Sequence, residues 1–408
     1  MLLKNKKILV AVTGSIAIYK TLELIRLYIK AGAVVKVIMT ESAKKFINPI
    51  TFEAISQNKV LDESSENWDK NQEYNHIDIG KWSDIFVIAP ASANTINKLA
   101  NGIADNLLLQ TALAYPRIKL LSPAANTNMI KNPITQESLR KLKLCNFEIV
   151  STVTKELVCK DVGDGAMAEP ADIFDATCRK LLKDEYWINR KVVLSGGGTV
   201  EKIDDVRYIS NFSSGKMATS LATALYYKGA EVCLVSTRGY ENLPKEIQLI
   251  KVNSSLEMYE NLKKSLSFIK KESSKKPYLF MVAAVSDYLP QNSQNGKLKK
   301  EKIGTLWNLE LEENIDLLKS LPKDGIYSIG FKAEMDETTA LNSATSMMEK
   351  KNLDAVCLNI LNENNNFGSD TNEIELILKN SSFEFKGTKL NISLEILERL
   401  GKELGSNE

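Results

Sequence analysis

The sequence contains little histidine and no cluster of metal-binding residues. His76 is its only histidine, and the five cysteines are widely spaced without a Cys-x-x-Cys pair. A structural zinc site needs four such ligands at close spacing, so a site of this type is excluded. The same cysteine usage predicts a reduced, cytoplasmic setting.

An excess of either charge is also missing, and so is a long apolar run. Lys and Arg total 53 against 51 for Asp and Glu, a formal net charge of +2, so no basic face for nucleic acid is expected. No stretch approaches the roughly 18 uninterrupted apolar residues that span a bilayer. Thr13, Gly14 and Ser15 interrupt the apolar start of the chain, which argues against a signal peptide. The expected partners are small molecules, without nucleic acid or membrane.

What the sequence does contain is two series of strand-like apolar runs that alternate with helical segments. This alternation predicts parallel sheets with helices on both faces, and 408 residues are more than one core usually serves. We expect an α/β protein with two doubly wound, Rossmann-like domains, at residues 1–187 and 188–408. The runs are 7–12, 34–39, 84–89 and 118–122, then 191–195, 231–236, 278–285, 326–331 and 354–359.

Three local patterns refine this expectation. Gly32-Ala33 and Gly229-Ala230 each stand between a helical segment and a second strand, where glycine ends a helix. Apolar alternation on both sides of Ser381-Ser382 predicts a hairpin, followed by a last helix over about residues 391 to 404.

In the first half, polar residues follow several strands. TGSIAIYK (13–20) opens a helix, where backbone N–H groups favour an anion and Gly14 permits close approach. Ligands of open α/β sheets bind outside the carboxyl ends of strands. Two interpretations are therefore open for the polar residues at Thr40, in the segment 89–106 and at Asn126. They converge on one ligand, or they only cap the helices that follow them.

Two single residues of the first half are open to two interpretations. Cys159 lies in a Gly- and Asp-bearing segment, 158–170, long enough to act as a flap. It is either a small apolar residue or a reactive thiol. His76 is either a packed side chain or an acid/base group.

In the second half, the richest segment is SGGGTVEKIDDVRYISNFSSGKMA (195–218). Asn211, Ser213, Ser214 and Gly215 lead into a helix N-terminus suited to phosphate. A Walker loop would need Gly at Ser210 and Ser or Thr at Met217, so an ordinary P-loop is disfavoured. Asp287, after the run 278–285, is placed to bind a metal or a base edge. The lysine-rich stretch 296–302 is either a solvated charge run or part of a site.

Taken in order, these motifs resemble a known family. TGSIAIYK, HIxxGKW, PASANT, ADN, the Pro-Ala-x-Asn-x-x-Met turn and the Cys-x-Asp-x-Gly-x-Gly loop are similar to the flavin-dependent cysteine decarboxylases that bind FMN. With the second half included, nearly the whole chain resembles the bifunctional phosphopantothenoylcysteine decarboxylases/phosphopantothenate–cysteine ligases of coenzyme A biosynthesis.

For the first half, the resemblance implies a flavin site and an oxidative decarboxylation. Flavin accepts hydride as the cysteinyl C–S group becomes a thioaldehyde, CO₂ leaves, and the enethiol is then reduced. Asn126 would hold the substrate carboxylate, Cys159 would supply a proton, and His76 would be the active-site histidine. The implied FMN contacts are Gly14, Ser15, Thr40, Ser92 and Asn106. The sequence departs from the family pattern at Ala125, Lys160 and Ala166.

For the second half, the resemblance implies a ligase that uses CTP and Mg²⁺. The carboxylate of 4′-phosphopantothenate would attack CTP, and the amine of L-cysteine would then attack the acyl-cytidylate. Asn211 would stabilise this intermediate, Lys297 would serve the second half-reaction, and Asp287 would bind the metal. The implied nucleotide contacts are Ser213, Ser214, Gly215, Lys216, Asp287, Phe331, Lys351 and Asn359. The sequence departs from the family pattern at Ala218 and Ile315.

Two other functions fit the same pattern. The first domain could be a weakened decarboxylase, or one for another cysteine-containing substrate, beside an active ligase. It could also be a flavoprotein module without catalysis. In the family, FMN sites lie between subunits; the decarboxylase domains form trimers and the ligase domains form dimers. The resemblance therefore implies a homo-oligomer.

Overall fold

The computed structural model describes residues 1–66, 75–156, 162–240, 242–299, 301, 304–361 and 368–405. Backbone packing divides the chain into two compact units, Met1–Leu181 and Leu182–Glu408. Within the described residues, no helix combines the length and the apolar character that crossing a membrane requires.

The first unit is built on a five-stranded parallel sheet. Its strands are β1 (Lys7–Val12), β2 (Val34–Met39), β3 (Ile85–Ala91), β4 (Lys119–Pro123) and β5 (Phe147–Ile149), with a separate hairpin of β6 (Val153–Glu156) and β7 (Val162–Ala166). Its helices are α1 (Ile18–Lys30), α2 (Glu41–Lys44), α3 (Pro49–Ser56), α4 (His76–Trp82), α5 (Ala93–Ala100), α6 (Leu107–Ala114), α7 (Thr127–Lys131), α8 (Pro133–Leu144) and α9 (Pro170–Leu182). The order β2-β1-β3-β4-β5 is that of a doubly wound sheet. Strand β3 is buried along its whole length, as expected where helices cover both faces.

The second unit has an eight-stranded sheet and two short pairs of strands. The sheet strands are β8 (Lys191–Gly196), β11 (Glu231–Ser236), β12 (Gln248–Lys251), β13 (Tyr278–Met281), β16 (Tyr327–Glu334), β17 (Ala355–Ile360), β18 (Thr371–Leu378) and β19 (Ser382–Thr388). The short strands are β9 (Val200–Lys202), β10 (Tyr208–Ser210), β14 (Tyr288–Pro290) and β15 (Leu311–Glu313). The helices are α10 (Lys216–Tyr227), α11 (Ser255–Glu272), α12 (Leu317–Ser320), α13 (Glu337–Lys350) and α14 (Lys389–Gly405). The sheet order is β12-β11-β8-β13-β16-β17-β18-β19; it is parallel as far as β17 and antiparallel beyond.

The fold predicted from the sequence is confirmed, including several of its local details. Gly32 and Gly229 follow α1 and α10 with φ of 95° and 98°, a left-handed conformation that ends a helix. Strands β18 and β19 pair as the hairpin expected around Ser381. The last helix begins at Lys389, slightly before the expected start.

One strand is shorter than predicted. The run 278–285 was expected to be a single strand, but β13 ends at Met281. Beyond it, the amides of Val282 and Ala283 both donate to Ser195 Oγ at 3.0 Å, which takes the chain out of the ladder. Asp287 therefore lies in a loop just before β14 and not at the end of a sheet strand.

Candidate active sites

The first unit contains a cavity of about 860 Å³ at the carboxyl ends of its strands. This volume is within the range of sites that enclose a small molecule or cofactor. Its lining brings together Asn126 and every predicted flavin contact, namely Gly14, Ser15, Thr40, Ser92 and Asn106. These residues follow different strands, so the sheet edge assembles them.

The polar residues of this cavity are also helix N-caps. Thr40 Oγ1 accepts a hydrogen bond from the Ala43 amide at 3.3 Å, and Ser92 Oγ accepts one from Thr95 at 3.3 Å. Asn106 Oδ1 accepts from Leu109, and Asn126 Oδ1 from Asn128, both at 2.9 Å. The two interpretations of these residues are thus compatible: capping fixes each side chain at the cavity wall.

The first turn of the cavity is tightly packed. Thr13 Oγ1 donates to the Pro90 carbonyl at 2.7 Å and accepts from the Ser92 amide at 2.9 Å, which joins the ends of β1 and β3. A Cβ atom on Gly14 would lie 2.7 Å from Ser42 Cβ, closer than such atoms approach. Glycine is therefore required at this turn because Ser42 leaves no room for a Cβ atom.

A buried lysine in this cavity was not predicted. Lys20 is 7% exposed, and its Nζ donates to Glu169 Oε1 at 2.8 Å and to the Met167 carbonyl at 3.2 Å. Burial lowers the pKa of Lys20, and the hydrogen bond to Glu169 opposes that shift. The signal in the sequence was its spacing: Lys20 precedes Leu24 by one helical turn and so falls on the apolar stripe of α1.

The flap segment contacts the turn that carries Asn126. The Ala125 amide donates to the Gly165 carbonyl of β7 at 3.1 Å, and Lys131 Nζ lies 2.8 Å from Asp164 Oδ2. The segment 158–170 was expected to be a loop, but its described part includes the strand β7, paired antiparallel with β6. Ala166, one of the departures from the family pattern, lines the cavity.

Two of the predicted catalytic residues are not placed in the cavity. His76 is the first residue of α4, with its Nδ1 2.7 Å from Glu66 Oε1, and it does not belong to the cavity lining. Cys159 and the neighbouring Lys160 lie outside the described residues.

The second unit contains a cavity of about 540 Å³ beside the glycine-rich segment. Asn211 lines it, and its Nδ2 donates to the Val285 carbonyl at 2.9 Å. Gly198 faces the Asn211 carbonyl so closely that a Cβ atom would lie 2.6 Å from the oxygen. The other predicted residues in the lining are Ser213, Ser214, Gly215, Phe331 and Asn359.

The remaining predicted residues of the second half lie outside this lining. Lys216 Nζ donates to the Gly368 carbonyl at 2.8 Å and to Asp370 Oδ1 at 2.6 Å. Lys351 forms an ion pair with Asp316 at 2.9 Å. Asp287 and Lys297 are exposed residues of two loops.

The second cavity also contains a buried lysine that was not predicted. Lys389 is 6% exposed, lines the cavity and donates to the Ser369 carbonyl. Burial lowers the pKa of Lys389, and the nearby charge of Lys216 acts in the same direction. Lys389 is the first residue of α14. The sequence placed the start of this helix at about residue 391, so Lys389 was not considered as part of it.

The described residues do not form a preformed metal site. Within them, no group of three or more His, Cys, Asp or Glu side chains converges. Mg²⁺ bound with a nucleotide usually takes most of its ligands from phosphates and water, with one or two carboxylates. Asp287 could therefore serve as the protein ligand only for a metal ion that is already bound to the nucleotide.

Comparison with known proteins defines the class of this chain. Residues 2–182 match the family described as flavoprotein. Residues 187–404 match the family described as the DNA/pantothenate metabolism flavoprotein C-terminal domain. The chain is thus a two-domain flavoprotein of pantothenate metabolism.

Similarity to individual proteins identifies the family more specifically. The chain is 34% identical over 402 residues to the coenzyme A biosynthesis bifunctional protein CoaBC of Borreliella burgdorferi, covering 97% of this chain and 99% of that protein. The chain belongs to this family of bifunctional coenzyme A biosynthesis proteins. It is also 34% identical over 368 residues to a cysteine/cysteine sulfinic acid decarboxylase from an unknown prokaryotic organism, covering 87% of this chain and 98% of that one. Among solved structures, a PPC decarboxylase variant complexed with pantothenoylaminoethenethiol is 32% identical with a TM-score of 0.40, covering 44% of this chain and 98% of that one.

Proposed function

We propose that the chain catalyses two consecutive steps of coenzyme A biosynthesis. The second domain joins 4′-phosphopantothenate to L-cysteine with CTP, and the first domain decarboxylates the phosphopantothenoylcysteine that results. The observation that carries this proposal is the similarity to the Borreliella burgdorferi protein, which extends over 97% of this chain and therefore over both units. We place the boundary between the two activities near residue 188.

In the first domain, the polar cavity is the proposed binding site of FMN. Its size suits a flavin, and the turn of Gly14 and Ser15, which leads into α1, suits the phosphate. When bound, the flavin would accept hydride from the substrate and return it. Asn126 would hold the substrate carboxylate until CO₂ leaves, because its side-chain amide supplies hydrogen-bond donors. Cys159, on the flap, would supply the proton.

His76 is proposed to act in an oligomer. It does not line the cavity of its own unit, and sites between subunits would bring it there from a second copy. Two variants of reduced activity, His76→Gln and Asn126→Asp, should then restore part of the lost activity when mixed and reassembled. Mixtures no more active than their components would contradict a shared site.

In the second domain, Asn211 and the start of α10 are the proposed binding site of the acyl-cytidylate. Ser213, Ser214 and Gly215 present their backbone to the phosphate, and Phe331 and Asn359 complete the cavity. Lys297 would serve the attack by the cysteine amine. Mg²⁺ would enter with CTP, with Asp287 as its candidate protein ligand; Lys216 and Lys351 are the further candidate nucleotide contacts.

One assay tests both activities together. Folded, FMN-loaded protein is supplied with CTP, Mg²⁺, cysteine and 4′-phosphopantothenate, and release of pyrophosphate and CO₂ is followed. Absence of both products would refute the proposal.

A second candidate function is favoured by the similarity to the cysteine/cysteine sulfinic acid decarboxylase. In that case the protein should release CO₂ from free cysteine without CTP. Release of CO₂ only from phosphopantothenoylcysteine would exclude this alternative.

A further inference from the structure

The loop that carries Lys297 is bound to the turn between β9 and β10. Two main-chain amides beside Lys297 donate to carboxylates of adjacent residues in this turn, Asp204 and Asp205. Five hydrogen bonds join the loop and the turn: Gln294 N to Ile203 O at 3.0 Å, Gly296 N to Asp205 Oδ2 at 2.5 Å, Asp205 N to Gly296 O at 3.5 Å, Leu298 N to Asp204 Oδ2 at 3.0 Å and Arg207 Nη2 to Leu298 O at 2.9 Å.

Asp204 is the rigid part of this contact. Its side chain has no exposed surface, whereas Arg207 beside it is partly exposed. Asp204 Oδ1 accepts from the amides of Val206 at 2.8 Å and Arg207 at 2.7 Å, and Oδ2 accepts from Arg207 Nε at 3.0 Å. A buried carboxylate with an arginine partner and this many donors has a single orientation.

Arg207 is itself held in place on another side. Its guanidinium lies 4.5 Å from the centre of the Trp307 ring, a cation–π contact. Because Arg207 also donates to the Leu298 carbonyl, Asp204 and Arg207 together bind both main-chain polar groups of Leu298.

This arrangement fixes the backbone on both sides of Lys297 and leaves its side chain exposed. The same hairpin continues through β10 to Ser210 and Asn211, which line the nucleotide cavity. One short antiparallel element therefore connects the two residues assigned to the acyl-cytidylate chemistry.

We propose that Asp204 is a positioning residue for the ligation, acting through the Leu298 amide to fix the backbone that presents Lys297. This inference rests on the role proposed for Lys297 above. A charged group acts on a developing charge only from a defined position, and a displacement of about 1 Å costs about 100-fold in rate.

The test separates the two half-reactions in the full-length protein. Pyrophosphate release from CTP and 4′-phosphopantothenate without cysteine reports the first, and cysteine-dependent consumption of the acyl-cytidylate reports the second. Asp204→Asn, which removes the charge that Arg207 and Leu298 bind, should leave the first within about threefold and slow the second by about 100-fold. Lys297→Gln should do the same. Glu398→Gln removes an exposed carboxylate paired with Lys402 and should alter neither half-reaction.

The outcomes distinguish this inference from the function on which it rests. If Lys297→Gln leaves the cysteine-dependent step intact, the role proposed for Lys297 is wrong, and the role of Asp204 is wrong with it. If Lys297→Gln blocks that step while Asp204→Asn does not, Asp204 does not position the loop. A loss of both half-reactions to the same extent in Asp204→Asn would also overturn the inference, since it would indicate only a structural role.

Discussion

The two cavities are assembled in different ways. In the first unit, Thr40, Ser92, Asn106 and Asn126 each cap the helix that directly follows them, so local hydrogen bonds orient them. In the second unit, the candidate residues are spread over segments distant in sequence. The loop of Lys297, for example, is bound by carboxylates some ninety positions earlier in the chain. A site formed by helix N-cap residues is easier to predict from sequence, because the N-cap residue and the helix that it caps are adjacent in the chain.

The largest expected effect follows from separating capping from binding at Asn126. Asn126→Asp keeps the oxygen that accepts from the Asn128 amide but replaces the NH₂ donor of the side chain by a second carboxylate oxygen. Loss of a hydrogen bond to a charged group, about 1.5–3 kcal/mol, predicts a fall of roughly 10- to 100-fold or more in kcat/KM for decarboxylation. The melting temperature and the bound flavin should not change. Activity within threefold of the unsubstituted protein would leave Asn126 with capping alone.

The second prediction concerns the close approach at Gly14. Gly14→Ala places a Cβ atom 2.7 Å from Ser42 Cβ, and overpacking of this kind lowers the free energy of unfolding by about 1–3 kcal/mol. Flavin affinity should fall about tenfold as the turn moves, which a flavin titration would measure. Gly80→Ala is the matched control, because there the nearest atom is Tyr115 Cδ2 at 3.6 Å. Equal behaviour of the two variants would contradict the prediction.

The corresponding change in the second unit is Gly198→Ala. The new Cβ atom would lie 2.6 Å from the Asn211 carbonyl and should displace the Asn211 segment. We expect CTP-dependent ligation to fall about tenfold for a displacement that costs about 1.4 kcal/mol, with decarboxylation of supplied phosphopantothenoylcysteine unaltered. Gly239→Ala, whose nearest neighbour is the flexible end of Lys251 at 3.4 Å, serves as the control. Loss of decarboxylation in Gly198→Ala would show that the two activities are not independent.

The smallest expected effect is a pH dependence of the second unit. The hydrogen bonds from Arg207, with those from the amides of Leu298, Val206 and Arg207, hold the pKa of Asp204 well below its ordinary value of 3.8. A carboxyl whose pKa is lowered by folding stabilises the fold above the pKa of the unfolded chain, and this contribution disappears as the pH falls through the folded pKa. The difference in melting temperature between the protein and Asp204→Asn should thus be constant from pH 5 to 7 and shrink below about pH 4. A difference that grows on acidification would contradict this assignment.

Much of the fold was predictable because it follows local rules. Buried parallel strands appear as continuous apolar runs, and the strands expected at 7–12, 34–39 and 231–236 have these bounds in the structure. The prediction was wrong at 282–285, where apolar residues continue beyond the strand. There Ser195 Oγ takes the amides of Val282 and Ala283, a contact between distant segments that no local pattern indicates.

The residues of the candidate sites also differ in whether local patterns or tertiary contacts decide their position. Each expected flavin contact lines the first cavity, since these residues lie in the segments that follow strands of one parallel sheet. Lys20 and Lys389 were missed because charged residues are rarely buried, and only their tertiary partners make burial tolerable. In the second unit, Lys216 and Lys351 form ion pairs with Asp370 and Asp316 and are not part of the cavity lining, so their contact with a nucleotide stays a prediction.

Local sequence patterns were enough to predict the two α/β domains, most of their sheet strands and the polar residues at strand ends, because these depend on neighbours within a few residues. Three features become visible only once the chain is folded: which side chains face one cavity, the contact of β7 with the turn of Asn126, and the binding of the loop of Lys297 by Asp204. Those contacts join residues far apart in the chain, and their geometry is set by packing, which a one-dimensional pattern does not record.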